Sequence, residues 1–148
     1  MKIMKLRYII SLIFFAAITA CTQNDGDIGV WFGTWRLEKI TIDGTTDSDY
    51  DENVVLKFQN NVMESVAQYE HHVTNNCYAK WTREGDLLIL ELPENQDPDT
   101  QYGYVGELHL PWLPLIEMKV LNLSGKKAEL EYETEFGQMI RYYLTKLY

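Results

Sequence analysis

From Trp35 onward the chain alternates apolar and polar residues with a period near two, the repeat of a β-strand with one wet and one dry face. The clearest case is Ala128-Glu129-Leu130-Glu131-Tyr132-Glu133-Thr134-Glu135-Phe136, whose odd-numbered members are all glutamates. Seven further runs share the pattern, at residues 35–42, 54–59, 62–73, 77–83, 87–92, 115–123 and 138–147. After Cys21 no stretch carries a 3.6-residue apolar face of useful length. The pattern therefore predicts an all-β domain of eight strands.

Connections between the runs alternate in length. Asn60-Asn61, Glu84-Gly85-Asp86 and Ser124-Gly125-Lys126-Lys127 are hairpin-sized and rich in turn residues, whereas 43–53 and 93–114 are long. In an up-and-down meander alternate connections lie at opposite ends, so the tight turns gather at one end and the long loops at the other. Eight antiparallel strands lose their open edges by closing on themselves. That predicts an up-and-down barrel, closed at one end and wide enough for one small ligand. Its mouth is framed by 43–53, 72–76, 93–114 and Phe136-Gly137. Leu37, Leu56, Phe58, Val66, Trp81, Leu88, Leu90, Met118, Leu130, Tyr132, Tyr142 and Leu144 are expected inside. All of these except Leu37, Val66 and Leu144 are the candidate cavity residues.

Gly33-Thr34-Trp35, followed by Arg36-Leu37-Glu38-Lys39-Ile40, resembles the opening strand of lipocalins and other calycins. Its particular form is similar to the small lipocalin-like lipoproteins of Bacteroidota. Ala79-Lys80-Trp81-Thr82-Arg83-Glu84-Gly85-Asp86-Leu87 resembles their mid-barrel hairpin, and residues 140–146 resemble their closing strand, with a basic residue near its end. The resemblance spans roughly 33–147. It departs from the pattern in lacking the other lipocalin signatures and a long helix after the eighth strand. It implies a lipocalin-like barrel around a small apolar ligand. Gly33, Trp35 and Lys146 are then the barrel-closing residues: Gly33 permits a tight start, and Trp35 plugs the closed end. Lys146 shares a face with Ile140, Tyr142 and Leu144, which places it over the Trp35 ring, a contact worth about 0.5–2 kcal/mol. Arg141 is expected to point outward.

The N-terminus reads as an export signal. Lys2, Lys5 and Arg7 precede an apolar stretch over 8–18, shorter than the roughly 20 residues that cross a bilayer. Ile18-Thr19-Ala20-Cys21 resembles a bacterial lipobox, which implies a signal peptide at 1–20 and lipidation of Cys21. Acyl chains such as palmitate, each CH2 worth ~0.8 kcal/mol when buried, would then make the membrane anchor. The alternative is an ordinary cleaved signal with an incidental cysteine. Residues 21–29 would form the lipidated cysteine and a flexible acidic tether, and 30–148 the barrel. Gln23-Asn24-Asp25-Gly26-Asp27 is similar to the acidic export tags of Bacteroidota surface lipoproteins. The expected location is the outer membrane of a Gram-negative bacterium, on its periplasmic or surface face. Of the two cysteines, an acylated Cys21 cannot pair, which leaves Cys77 as a buried thiol.

Charge narrows the partners. The net charge is −9, and the charged residues before Cys21 are all basic, so a chain cleaved there is more acidic still. Such a surface repels nucleic-acid phosphates and anionic headgroups.

Candidate chemistry gathers at the mouth. The 93–114 loop holds Tyr102, Tyr104, His109, Trp112 and the motif Leu110-Pro111-Trp112-Leu113-Pro114. This loop could act as a lid, anchor a protein partner, or pack as a structural corner. Asp47-Ser48-Asp49-Tyr50-Asp51 resembles half a calcium loop, but Glu52 stands where glycine is needed and Phe58 where a bidentate glutamate is needed. A solvated acidic loop is the expected reading, with weak calcium binding at Asp47, Asp49 and Asp51 the alternative. His71 and His72 beside Glu70 would face opposite ways on a regular strand, so no metal is expected there. No Gly-x-Ser-x-Gly occurs and no serine has a base nearby in sequence, so neither an enzyme nor a cofactor is expected. Two functions remain: a binding barrel for a small hydrophobic ligand, or a filled barrel that holds or inhibits a cell-surface protein through the 93–114 loop.

Overall fold

The computed structural model describes residues 29–93, 108–111 and 113–148. Among them, β1 (Gly33–Ile42), β2 (Thr45–Thr46), β3 (Val54–Gln59), β4 (Val62–Gln68), β5 (Thr74–Glu84), β6 (Leu87–Glu91), β7 (Leu115–Leu123), β8 (Lys127–Glu133) and β9 (Met139–Lys146) form one antiparallel sheet. Its order follows the chain from β3 to β9, and β9 returns to pair with β1 from Trp35↔Lys146 to Ile42↔Ile140. The two residues of β2 add only a flap on the end of β1. Eight long strands thus close a barrel, whose closed sheet leaves no open edge along most of its length.

Local irregularities decide which residues face inward. Strict alternation from Trp35 would send Ile40 outward, yet Ile40 is fully buried. A β-bulge between Leu37 and Lys39 shifts the register, so Leu37↔Leu144 is followed by Lys39↔Tyr143 and Ile40↔Tyr142. One extra residue on the bulged strand lets side chains three apart share a face. Outside, Lys39 gains the ring of Tyr143, 4.1 Å from its centroid.

Three expectations are corrected. Val66 is not an interior residue: it pairs with Val55 and Asn76 on the outer face, while Met63, Ser65 and Ala67 point inward. The strand read over 62–73 stops at Gln68. Glu70–His72 forms a single tight turn in which His71 and His72 both sit at φ +61°, a conformation no strand continues through. The glutamate strand likewise ends at Glu133 rather than at Phe136. Thr134 Oγ1 accepts the Gln138 N–H at 3.1 Å and Gly137 takes φ +78°, turning the chain and leaving Phe136 89% exposed.

Candidate ligand cavity and its two ends

The closed end is an aromatic plug. Trp35 is fully buried, and its indole N–H donates to the carbonyl of Trp31 at 2.8 Å. The Trp31 ring lies 5.5 Å from Trp35 and 5.1 Å from Phe58, which meets Trp81 edge-on at 5.3 Å. Tilted and edge-on contacts at these spacings suit the ring quadrupoles. Lys146 Nζ stands 5.4 Å from the Trp35 centroid and also donates to the Val30 carbonyl at 2.8 Å. The same ammonium therefore ties the incoming chain to the last strand. Gly33 takes φ +125°, and a Cβ there would lie 2.4 Å from the Tyr148 carbonyl oxygen. The neighbouring Thr34 exchanges backbone hydrogen bonds with the C-terminal tail, from Thr34 N to Tyr148 O and from Leu147 N to Thr34 O. Sequence reasoning assigned nothing to Trp31. The signal was the second tryptophan four residues before Trp35.

The mouth carries a short strap. Leu108 and Leu110 are buried and join the core, while Leu113 is 44% exposed. Tyr142, inside the barrel on β9, donates its hydroxyl to the Leu108 carbonyl at 2.6 Å. His109, at φ +54°, turns away from its neighbours and places Nε2 2.7 Å from Asp47 Oδ2. Asp47 Oδ1 accepts the Asp49 N–H at 3.1 Å, so this carboxylate shapes its own loop and latches the strap. Tyr50 closes the adjoining corner by donating to the Leu37 carbonyl at 2.6 Å. Of the other mouth and tether residues singled out from sequence, Tyr102, Tyr104, Trp112 and Cys21 lie outside the described residues. Among the described residues no group of three or more histidine, cysteine or acidic side chains could hold a metal.

The His109 hydrogen bond, helped by the Asp49 amide, holds the Asp47 carboxyl below its usual range. A carboxyl lowered on folding contributes stability above its unfolded value, and that contribution disappears as pH falls through the folded value. The strap should therefore loosen only in acid, below about pH 4. The effect should be small, because His109 is more than a third exposed and solvent screens the pair. Amide NMR shifts of Leu108 to Leu110 should move over this acid range in the native chain and stay level in Asp47→Asn.

Between plug and strap the wall is apolar but uneven. Leu56, Phe58, Trp81, Leu88, Leu90, Met118, Leu130, Tyr132 and Tyr142 are all buried and face inward by register. The stretch of β4 and β5 carries several shorter side chains, with Ser65 opposite Cys77, Ala67 on one adjoining row, and Ala79 on the other, opposite the larger Met63. Burial pushes the Cys77 thiol up to about 11, against the weak contact of its Sγ with the Tyr78 carbonyl at 3.9 Å. Cys77 should therefore resist iodoacetamide at pH 8 in the folded protein and react fully in urea. Labelling of the folded chain at the rate of a small thiol would contradict this burial.

A family described as the lipocalin-like domain matches residues 16–111, well over half of the chain. Among solved structures, the chain is similar to a lipocalin-like protein from Bacteroides uniformis, at 19% identity and a TM-score of 0.63. That match covers 80% of this chain and 100% of the other. It is also similar to an uncharacterized protein from Bacteroides eggerthii, at 18% identity and a TM-score of 0.62, covering 78% and 98%. At such identities the likeness concerns the fold. No curated protein matches.

Proposed function

Because the chain belongs to the lipocalin-like domain family, we propose that it is a lipid-anchored, non-enzymatic carrier that takes one small apolar molecule into its barrel. The observation that supports this most is the uneven interior. In the closed apolar barrel the inward residues of β4 and β5 include the short side chains Ser65, Ala67, Cys77 and Ala79 beside the larger Met63 and Trp81. Apolar pockets with a few polar groups are the usual form of small-molecule sites.

Anchoring rests on the residues around Cys21 and on where the described chain begins. Val30 and Trp31 are fastened at the plugged end through Lys146 and Trp35. On this reading a tether from Cys21 joins the barrel beside the plug, and the mouth is proposed to point away from the membrane of the Gram-negative envelope.

Native mass spectrometry of residues 22–148, which contain the whole closed sheet and its core, tests the carrier reading. The expected result is a retained mass that organic extraction removes. In Ala79→Phe that mass should be absent and the fold kept, because the ring occupies the ligand's side of the barrel. A bare chain that stays bare with fatty acids, bile acids and haem would sink the reading for those classes. If Ala79→Phe cannot fold because the wall has no room, the interior is filled and the carrier reading fails as well.

A further inference from the structure

Inside the barrel, Trp81 Nε1 and Ser65 Oγ are inaccessible and have no hydrogen-bond partner among the described residues. Both side chains face inward by register, Trp81 opposite Leu90 and Ser65 between Leu56 and Cys77. Both belong to the same wall of β4 and β5, where Cys77, Ala79 and Trp81 follow one another along one face. Buried polar groups are nearly always paired, because desolvating one without a partner is costly. Here two such groups lie on one wall of the interior, with Ala67, Cys77 and Ala79 around them. An elongated molecule lying along β5 would pass Ser65 and end at the Trp81 indole, near the plug.

The charge of that molecule can also be argued. Among the described residues no charged side chain is buried. Lys146 is the inward-phased cation at the plug, and it is already engaged with the Val30 carbonyl and the Trp35 ring. A carboxylate entering here would find hydrogen-bond donors but no counter-charge, in a chain whose net charge is already −9. An unpaired buried charge is far costlier than a neutral oxygen.

We infer that the ligand is an uncharged apolar molecule bearing a hydrogen-bond acceptor, such as a carbonyl oxygen, received by Trp81 Nε1, with Ser65 Oγ a second polar group farther along the same wall. This rests on the carrier reading and names its ligand class.

The test titrates residues 22–148, 15N-labelled at tryptophan, with dodecan-2-one, dodecane and dodecanoate at neutral pH. The ketone should bind about 3- to 10-fold more tightly than the alkane, the worth of one net hydrogen bond. Dodecanoate should bind more weakly than the ketone. The Trp81 indole proton, assigned through Trp81→Phe, should move downfield with the ketone and not with dodecane. In the Ser65→Ala/Trp81→Phe double variant the preference for ketone should fall to about twofold or less, with dodecane affinity kept. If the double variant does not fold, the indole shift decides. Equal binding of ketone and alkane, a preference for dodecanoate, or an unmoved Trp81 resonance overturns the inference and leaves the carrier reading standing. Failure of all three ligands to bind sinks the inference, and the carrier reading for straight-chain ligands with it.

Discussion

Trp35→Ala is expected to lower the unfolding free energy by about 3–5 kcal/mol, the range for deleting a large buried aromatic. That is roughly a fifth or more of the ~5–15 kcal/mol by which a domain of this kind is stable. The size follows from position. Trp35 is fully buried, its N–H donates to the Trp31 carbonyl, and its ring packs with the Trp31 ring and meets the Lys146 ammonium. Truncation leaves a cavity at the plug and an unpaired buried carbonyl, and frees the start of the chain from the last strand. Urea unfolding followed by circular dichroism should show a lower midpoint with an unchanged slope. Lys146→Met separates the ring from its cation and should cost only about 0.5–2 kcal/mol. A loss below ~1.5 kcal/mol for Trp35→Ala would mean that the plug is not what closes the barrel.

Gly33→Ala is the second large effect, on the order of 3 kcal/mol, near the upper end for a residue forced into sparsely allowed backbone space. Two causes act together. The glycine sits at φ +125°, and the new Cβ would meet the Tyr148 carbonyl oxygen at 2.4 Å, a backbone atom that cannot swing aside. Relief requires the C-terminal tail to leave, breaking the hydrogen bonds that join it to Thr34. Gly125→Ala is the control. It has an ordinary φ and open space around the new Cβ, so the change should be neutral or slightly stabilising. Comparable melting temperatures for the two variants would refute the close-approach argument.

The largest predicted effects fall on the segment most legible in the sequence. Gly33, Trp35 and Lys146 can be picked out because Gly33-Thr34-Trp35 and the basic residue near the end of the last strand resemble the lipocalin pattern. Alternation likewise marks the strands, and alternate loop lengths imply which end is closed. Mistakes occurred where local pattern and backbone diverged. Residues 70–72 continue a period-two rhythm, yet their histidines take positive φ and turn the chain. Val66 lies in a strand with three consecutive buried residues, Ser65, Val66 and Ala67, so alternation alone gives no phase. Its neighbours Val55 and Asn76 supply it.

By itself, then, the sequence determined the eight long strands and their antiparallel closure, because each follows from periodicity or turn chemistry, and its lipocalin resemblance pointed to Gly33, Trp35 and Lys146. Only the tertiary structure decided what the interior offers a ligand. Ser65, Cys77, Ala67 and Ala79 lie on two strands, and nothing local announces that they share a wall. That Tyr142 reaches Leu108, that His109 meets Asp47, and that the Trp81 indole is sealed without an acceptor depend on cross-strand register and on where the strap lands. Register is a property of pairs of strands. A one-residue slip would send every one of these side chains to the other face.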